Sequence, residues 1–440
     1  EITTRLVGSE MCIRDRYNRK DQLSKSIVYA VDIPKSATQA KTRISTYDGR
    51  SRQEISNGLY TVFGNGRTTA QKSVKIVTKK VTKNGKKVTK RVKKTVTKKV
   101  RKNVIAMYDN SGVLRSEMPL EANVAKNMQI IYDNIVYPCS ANKFTRINDL
   151  GQVTRIYQVN GYKQDGEFAY DGYGNIYFIA SALGKKTSRN SRIMSLELET
   201  GKVSLALDFD NFLSEMYKKS GKKANWIDIN SVQVCGTNKL IISSKSLSSI
   251  FKVSNVGSLL PKLDYIIADK DIWAKCKNLK KKVLKKYSKD DADESATADP
   301  SATDDTDSIE SILNQGKKKP DPFRSQYGQN ALTSNSSGTL ITMLNNNAGK
   351  YAKKSNGKSY YYQFKVNESA KNYRVSEKKA FEKTSNNGNI IKGDNSYIYC
   401  CSDKGKFIET DSAGKLIKGF KTGGRPYRVY KNDWKNFWFY

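Results

Sequence analysis

Tyr108-Asp109-Asn110-Ser111-Gly112-Val113-Leu114-Arg115 holds the end of one β-rich run, a turn, and the start of the next run. Its turn opens on aspartate, whose side chain can hold the following backbone, and closes on glycine, which accepts positive φ without steric cost. The same form returns in Ile147-Asn148-Asp149-Leu150-Gly151-Gln152-Val153, in Tyr170-Asp171-Gly172-Tyr173-Gly174-Asn175 and in Thr410-Asp411-Ser412-Ala413-Gly414-Lys415. Leu198-Glu199-Thr200-Gly201 and Ser402-Asp403-Lys404-Gly405 are related. Such turns between Val, Ile, Thr, Tyr and Phe runs are hairpin signals. Gly112 and Gly151 lie roughly 40 residues apart, the scale on which four-stranded propeller blades repeat. The chain therefore reads as all-β from about residue 26, an antiparallel β-propeller. A β-sandwich with long loops would give a similar spacing.

Composition supports a large packed body. Of 440 residues 37% are hydrophobic, with 26 Tyr and 14 Phe, and only 8 are proline. No apolar run approaches the roughly 18–20 residues that span a bilayer, so no membrane span is expected. The net charge of +37 draws polyanions, among them nucleic acid, cell-wall polymers, acidic lipid and sulfated ligands. Solvated lysine accounts for it equally well. The chain contains no histidine, and its six cysteines form no CxxC pair. Zinc sites that mix Cys and His are thereby excluded, and no metal or cofactor is expected. The cysteines, including the neighbours Cys400 and Cys401, read as buried free thiols.

Residues 1–16 begin without methionine, and Leu6 to Arg16 looks like translated sequencing adapter. They are read as non-native and set aside, with a natural start expected upstream. Residues 17–57 are expected to be lead-in strands and 58–440 the propeller, with two insertions. The first, 72–102, carries fifteen Lys/Arg and no acidic residue. Val88, Val92, Val96 and Val100 fit a helical stripe, but the β-branched content and the central Asn84-Gly85 decide for a hairpin. That turn sets Val81 opposite Val88 and Val77 opposite Val92. Lys79, Lys83, Lys86, Lys87, Lys90, Arg91 and Lys94 are then candidates for contact with an anionic polymer or cell-wall component; a solvated arm is the alternative. The insertion holds no aromatic residue for stacking on bases, so no specific nucleic-acid partner is expected. The second insertion, 287–319, is low in hydrophobicity and has nine Asp/Glu between Asp290 and Glu310, the composition of a disordered acidic loop.

Several segments together resemble the arylsulfate sulfotransferase family in its Gram-positive gut-bacterial branch. They run, in order, from Gly58–Gly64 through Tyr108–Arg115, Ile131–Tyr137 and Asp165–Asp171 to Asn225–Ser231. Ile241–Ser248, Gln326–Ala331 and Tyr427–Tyr440 follow. The resemblance implies a propeller of six four-stranded blades that moves a sulfuryl group between phenols through a sulfo-histidine. It also implies an extracellular or cell-envelope location and a phenolic or aryl-sulfate small molecule as ligand.

Each site position departs from that pattern. Asn330 stands for the nucleophilic histidine, Asp228 for a second histidine, Asp165 and Gly166 for a histidine pair, and Lys245 for a sulfate-holding arginine. An amide nitrogen has no available lone pair, and lysine lacks the arginine fork. A carboxylate about 4 Å from the sulfate group costs about 4 kcal/mol at an effective dielectric near 20, so both aspartates are expected to repel anions. Tyr327 and Gln329 remain candidates for binding a phenol. The expected function is a propeller that has lost sulfuryl transfer and acts as a binding or scaffold protein. The alternative is an active aryl-sulfate:phenol sulfotransferase with a non-histidine nucleophile.

Overall fold

A computed structural model of the 440-residue chain describes residues 41–44, 58–64, 68–83, 85–101, 103–110, 112, 114–120, 125–184, 187–287, 325–352, 357–422, 424–434 and 437. It is an antiparallel β-propeller of six four-stranded blades. Blade I is Arg428–Asn432, Leu59–Phe63, Val104–Tyr108 and Leu114–Pro119 in spatial order; blade II is Gln129–Ile131, Asn134–Ser140, Lys143–Asn148 and Val153–Gln158. Blade III is Tyr162–Tyr170, Asn175–Ala182, Arg192–Glu197 and Val203–Asp208; blade IV is Ile229–Val234, Leu240–Ser244, Ser249–Ser254 and Lys262–Ile267. Blade V is Asn330–Ser334, Leu340–Asn345, Lys358–Asn367 and Asn372–Glu382; blade VI is Ile390–Lys392, Ser396–Cys401, Lys406–Asp411 and Leu416–Lys421. Lys41–Ile44 adds a fifth strand to blade VI, and Lys285–Lys286 adds one to blade V. The chain divides into two compact units, residues 1–166 with 390–440, and residues 167–389. The acidic insertion lies outside the described residues except for Tyr287, and so do residues 1–16 and, apart from 41–44, the lead-in.

The glycines that mark the turns all have positive φ: +81° at Gly112, +76° at Gly151, +81° at Gly201 and +91° at Gly414. Each closes the hairpin between the third and fourth strands of its blade. At Gly112, Gly151 and Gly414 the glycine N–H donates to the carbonyl of the residue three before, at 3.0 Å.

In unit 2, all six residues of Ser249–Ser254 are buried. Alternation sends Phe251 and Val253 into one hydrophobic core and Ile250 into another. In unit 1 Tyr60 and Val62 join one core, Leu59 and Phe63 another. A middle strand covered on both faces needs apolar residues at successive positions, which is why these runs read as continuous rather than alternating. Phe209–Phe212 and Ser214–Lys219, two short helices, follow blade III, the first capped by Asp208 accepting from the Asp210 N–H. Phe209, Leu213 and Met216 close the core they lie on.

The basic insertion forms a separate two-stranded sheet between the second and third strands of blade I. Thr68–Lys83 pairs with Lys86–Arg101, with Val81 opposite Val88 and Val77 opposite Val92. The strands begin at residue 68, four before the expected start. Gly64 N–H donates to the Val104 carbonyl at 3.0 Å, closing the base.

Tyr60, Tyr157, Tyr177, Tyr265, Tyr361 and Tyr373 are all buried, and burial raises each hydroxyl above its ordinary value of 10.0. Glu409, which accepts from Tyr60, raises that one further. Because the folded values lie above the unfolded one, the stabilisation is whole below pH 10 and lost as pH rises past it. Lys431, pulled down from 10.5 by burial and held partly up by Glu409, works in the opposite sense, but it is one group against the six tyrosines, Lys126 and the thiols of Cys235 and Cys276, all of them raised. Unfolding free energy should hold to about pH 9, begin to fall as the unfolded thiols of Cys235 and Cys276 ionise, and fall by roughly 1 kcal/mol per tyrosine per pH unit above about pH 10. A profile flat to pH 11.5 would contradict the burial of these rings.

Candidate functional site

Within unit 2 the blades bring Asp228, Lys245 and Asn330 into one hydrogen-bonded cluster. Asp228 immediately precedes the first strand of blade IV, Lys245 follows its second strand, and Asn330 opens blade V. The Lys245 N–H donates to the Asp228 carbonyl at 3.1 Å. Asn230 Nδ2 donates to the Gln329 carbonyl at 2.7 Å and reaches Asn330 Oδ1 at 3.4 Å. Lys245 Nζ donates to Asn386 Oδ1 at 2.9 Å, and Asn330 Nδ2 to the Gly388 carbonyl at 2.7 Å, so one short segment receives both. Asn346 holds that segment through the Thr384 and Asn387 carbonyls, at 2.9 and 3.0 Å.

Left-handed backbone occurs at several positions of this cluster and its neighbours. Asn190, Asp228, Ala331, Asn347 and Asn387 have φ between +44° and +58°. Asparagine and aspartate visit that region readily, but Ala331 there costs roughly 1–2 kcal/mol, which the surrounding packing sustains. The Asp228 carboxylate accepts from Asn190 Nδ2 at 3.0 Å and lies 3.9 Å from Arg189 Nε.

The Asn330 side chain is buried, and its amide nitrogen donates to the Gly388 carbonyl. An amide nitrogen shares its lone pair with its own carbonyl, so this group donates hydrogen bonds and attacks nothing. Gln329 is fully buried, and its Nε2 donates to Ser243 Oγ and to the Ser244 and Ser249 carbonyls at 3.0–3.1 Å. It fastens the start of blade V to the second and third strands of blade IV. Tyr327 is half-buried; its N–H donates to Asn345 Oδ1 at 2.9 Å and its hydroxyl to Asp269 Oδ2 at 3.0 Å.

Asp165 and Gly166 are described with unit 1. Gly166, with φ +92°, lies within the strand Tyr162–Tyr170, and its N–H donates to Gln164 Oε1. Its carbonyl accepts from the Lys126 N–H at 3.0 Å, while Lys126 Nζ forms an ion pair with Asp165. Burial alone would lower the Lys126 ammonium, but the Asp165 carboxylate, aided by Tyr427, outweighs it and holds the group above the usual lysine range. The ammonium also lies 5.3 Å from the centre of the Tyr427 ring, beside the buried Arg428.

The electrostatic expectation is therefore corrected. Asp165 is compensated by Lys126 and Asp228 by Asn190 and Arg189, so neither stands as a bare repulsive charge. Lys126 and Arg189 were not anticipated as site residues. The available signal was a general one, that a carboxylate under cover needs a cation.

Of the basic candidates, Lys79, Lys90, Arg91 and Lys94 are exposed on the hairpin, and Lys83, Lys86 and Lys87 flank its turn.

Residues 47–389 match the family model for arylsulfotransferase (ASST). The chain belongs to the arylsulfotransferase family. No curated protein matches it. Among solved structures, this arylsulfotransferase-family chain is similar to a protein of unknown function from Bacteroides caccae, at 10% identity, with 85% of this chain and 98% of that one covered and a TM-score of 0.42. A functionally unknown protein from Desulfotomaculum acetoxidans follows at 8% identity, 74% and 95% coverage and a TM-score of 0.42. The Neurospora crassa Pan2 WD40 domain has 5% identity, 86% and 84% coverage and a TM-score of 0.38. Likeness at this level carries no functional information.

Removing the Lys126 ammonium leaves Asp165 charged under cover. In this arylsulfotransferase-family chain Lys126→Met should cost about 3 kcal/mol or more in urea unfolding, and adding Asp165→Leu should recover most of it. Additive losses would show that the two groups are not coupled.

Proposed function

We propose that this arylsulfotransferase-family propeller has lost sulfuryl transfer and serves as a non-catalytic binding or scaffold protein at the cell envelope, its basic hairpin offering contact to anionic polymers. One observation carries the reading. Asn330 occupies the position that the family resemblance gives to the sulfuryl-carrying nucleophile, and its amide nitrogen donates to the Gly388 carbonyl at 2.7 Å. Sulfuryl transfer needs a lone pair that can take the group and release it to an acceptor, and no imidazole exists anywhere in the chain. The compensated carboxylates leave electrostatic repulsion out of the argument, so the missing nucleophile bears it alone. The envelope location rests on the resemblance to the family.

Purified protein with a chromogenic aryl sulfate and an acceptor phenol should release no phenol above the buffer rate. Asn330→His alone should not restore turnover, because the other family histidines are also absent. Sustained acceptor-dependent release by the unaltered chain would refute the proposal.

A second reading has one observation in its favour, the Tyr327 hydroxyl donating to Asp269 Oδ2 at 3.0 Å. A phenol beside a carboxylate base can take a sulfuryl group, and the resulting ester is of the same kind as the aryl-sulfate donor. Were release observed, Tyr327→Phe should abolish it and Asn330→Ala should leave it.

A further inference from the structure

The hairpin register sorts its cations into two patterns. On one face lysine stands opposite lysine, Lys75 with Lys94 and Lys79 with Lys90, and these rungs alternate with the valine rungs Val77–Val92 and Val81–Val88. On the other face Lys80 lies opposite Thr89, Arg91 opposite Thr78 and Lys93 opposite Ile76. That second face thus carries one cation on each of three successive rungs, and the register continues the row with Lys87 opposite Thr82. Successive rungs on one face are about 7 Å apart.

All seven of Lys75, Lys79, Lys80, Lys90, Arg91, Lys93 and Lys94 are exposed. Among the described residues none of them forms an ion pair. Like charges directly across a ladder oppose pairing, and a two-stranded ribbon alone is marginal in water. Among the described residues these seven cations therefore have no neutralising partner.

We infer that the single-cation face, Lys80, Arg91 and Lys93, docks an extended, base-free phosphodiester chain such as a polyol phosphate. An extended chain covers about 1.2 Å per backbone bond, so charges about 7 Å apart are separated by about six bonds, as in a diester of a three-carbon polyol. A polymer of this kind places one negative charge on each rung. Single-stranded nucleic acid has a comparable charge spacing, but no residue from 68 to 101 is aromatic, so its bases gain no stacking platform. The paired lysines of the opposite face, with charges close across the strands and valine rungs between, suit such a chain less well. The inference rests on the polymer-binding part of the proposed function and not on the loss of catalysis.

The test titrates the full chain with synthetic poly(glycerol phosphate), with oligo-dT of equal charge, and with duplex DNA, across a range of salt. The glycerol polymer should bind tightest, with log K falling linearly in log salt. K80Q/R91Q/K93Q should weaken it more than tenfold and reduce the salt slope by about 2, three contacts at about 0.7 each. K75Q/K79Q/K90Q/K94Q should weaken it less, although it removes more charge. K80R/K93R should retain binding, and an unchanged thermal transition shows that each variant folds. No binding, equal loss from the two faces, or tighter binding to either nucleic acid would overturn the inference. Aryl-sulfate release, read on the same preparations, reports separately on catalysis.

Discussion

Cover on both faces of the middle strands is the constraint on which the rest depends. A strand such as Ser249–Ser254 has no solvent side, so each successive residue must pack into one of two cores. This removes the freedom to slip by one residue, since both faces are filled by side chains of particular size. The chain ends of these strands are thereby fixed in place. Asp228 and Asn330 sit at the starts of the first strands that pair with such middle strands, and their unusual backbone or buried amide geometry is sustained by the packing behind them.

At those ends hydrogen bonds between side chains and backbone carbonyls dominate. Asn230, Gln329, Asn330 and Asn346 are all amides whose nitrogens bind carbonyl oxygens of neighbouring segments. Such groups fix loops well and transfer nothing. The same geometry explains how two carboxylates are tolerated, since each has a cation or an amide donor within reach. Asp228, Gln329 and Asn330 are part of the internal scaffolding of unit 2, and Asp165 in unit 1 is part of an ion pair.

The turns were legible because their signal is local. Gly112, Gly151 and Gly414 each need a left-handed backbone three residues after an Asp or Asn, and that can be read without knowing the fold. The hairpin register was legible for a similar reason, because Asn84-Gly85 fixes the turn and counting outward does the rest. Lys126 with Asp165, 39 residues apart, and Lys245 with Asn386, 141 apart, could not be read that way. Their partners are set by the order of blades, and lysine and asparagine are too common for composition to single them out. The parallel addition of Lys285–Lys286 to blade V was invisible for the same reason, two lysines carrying no strand signal.

The adjacent Cys400 and Cys401 occupy successive positions of a buried strand, so their sulfurs point to opposite sides of the sheet and cannot join without breaking the ladder. Cys139, Cys235 and Cys276 are likewise buried. The five described thiols are therefore shielded in the folded protein, while an unfolded chain in an oxidising medium would expose all six thiols of the sequence at once. Cross-linking would then trap it, so that its lifetime outside a reducing compartment is governed by how rarely the blades come apart.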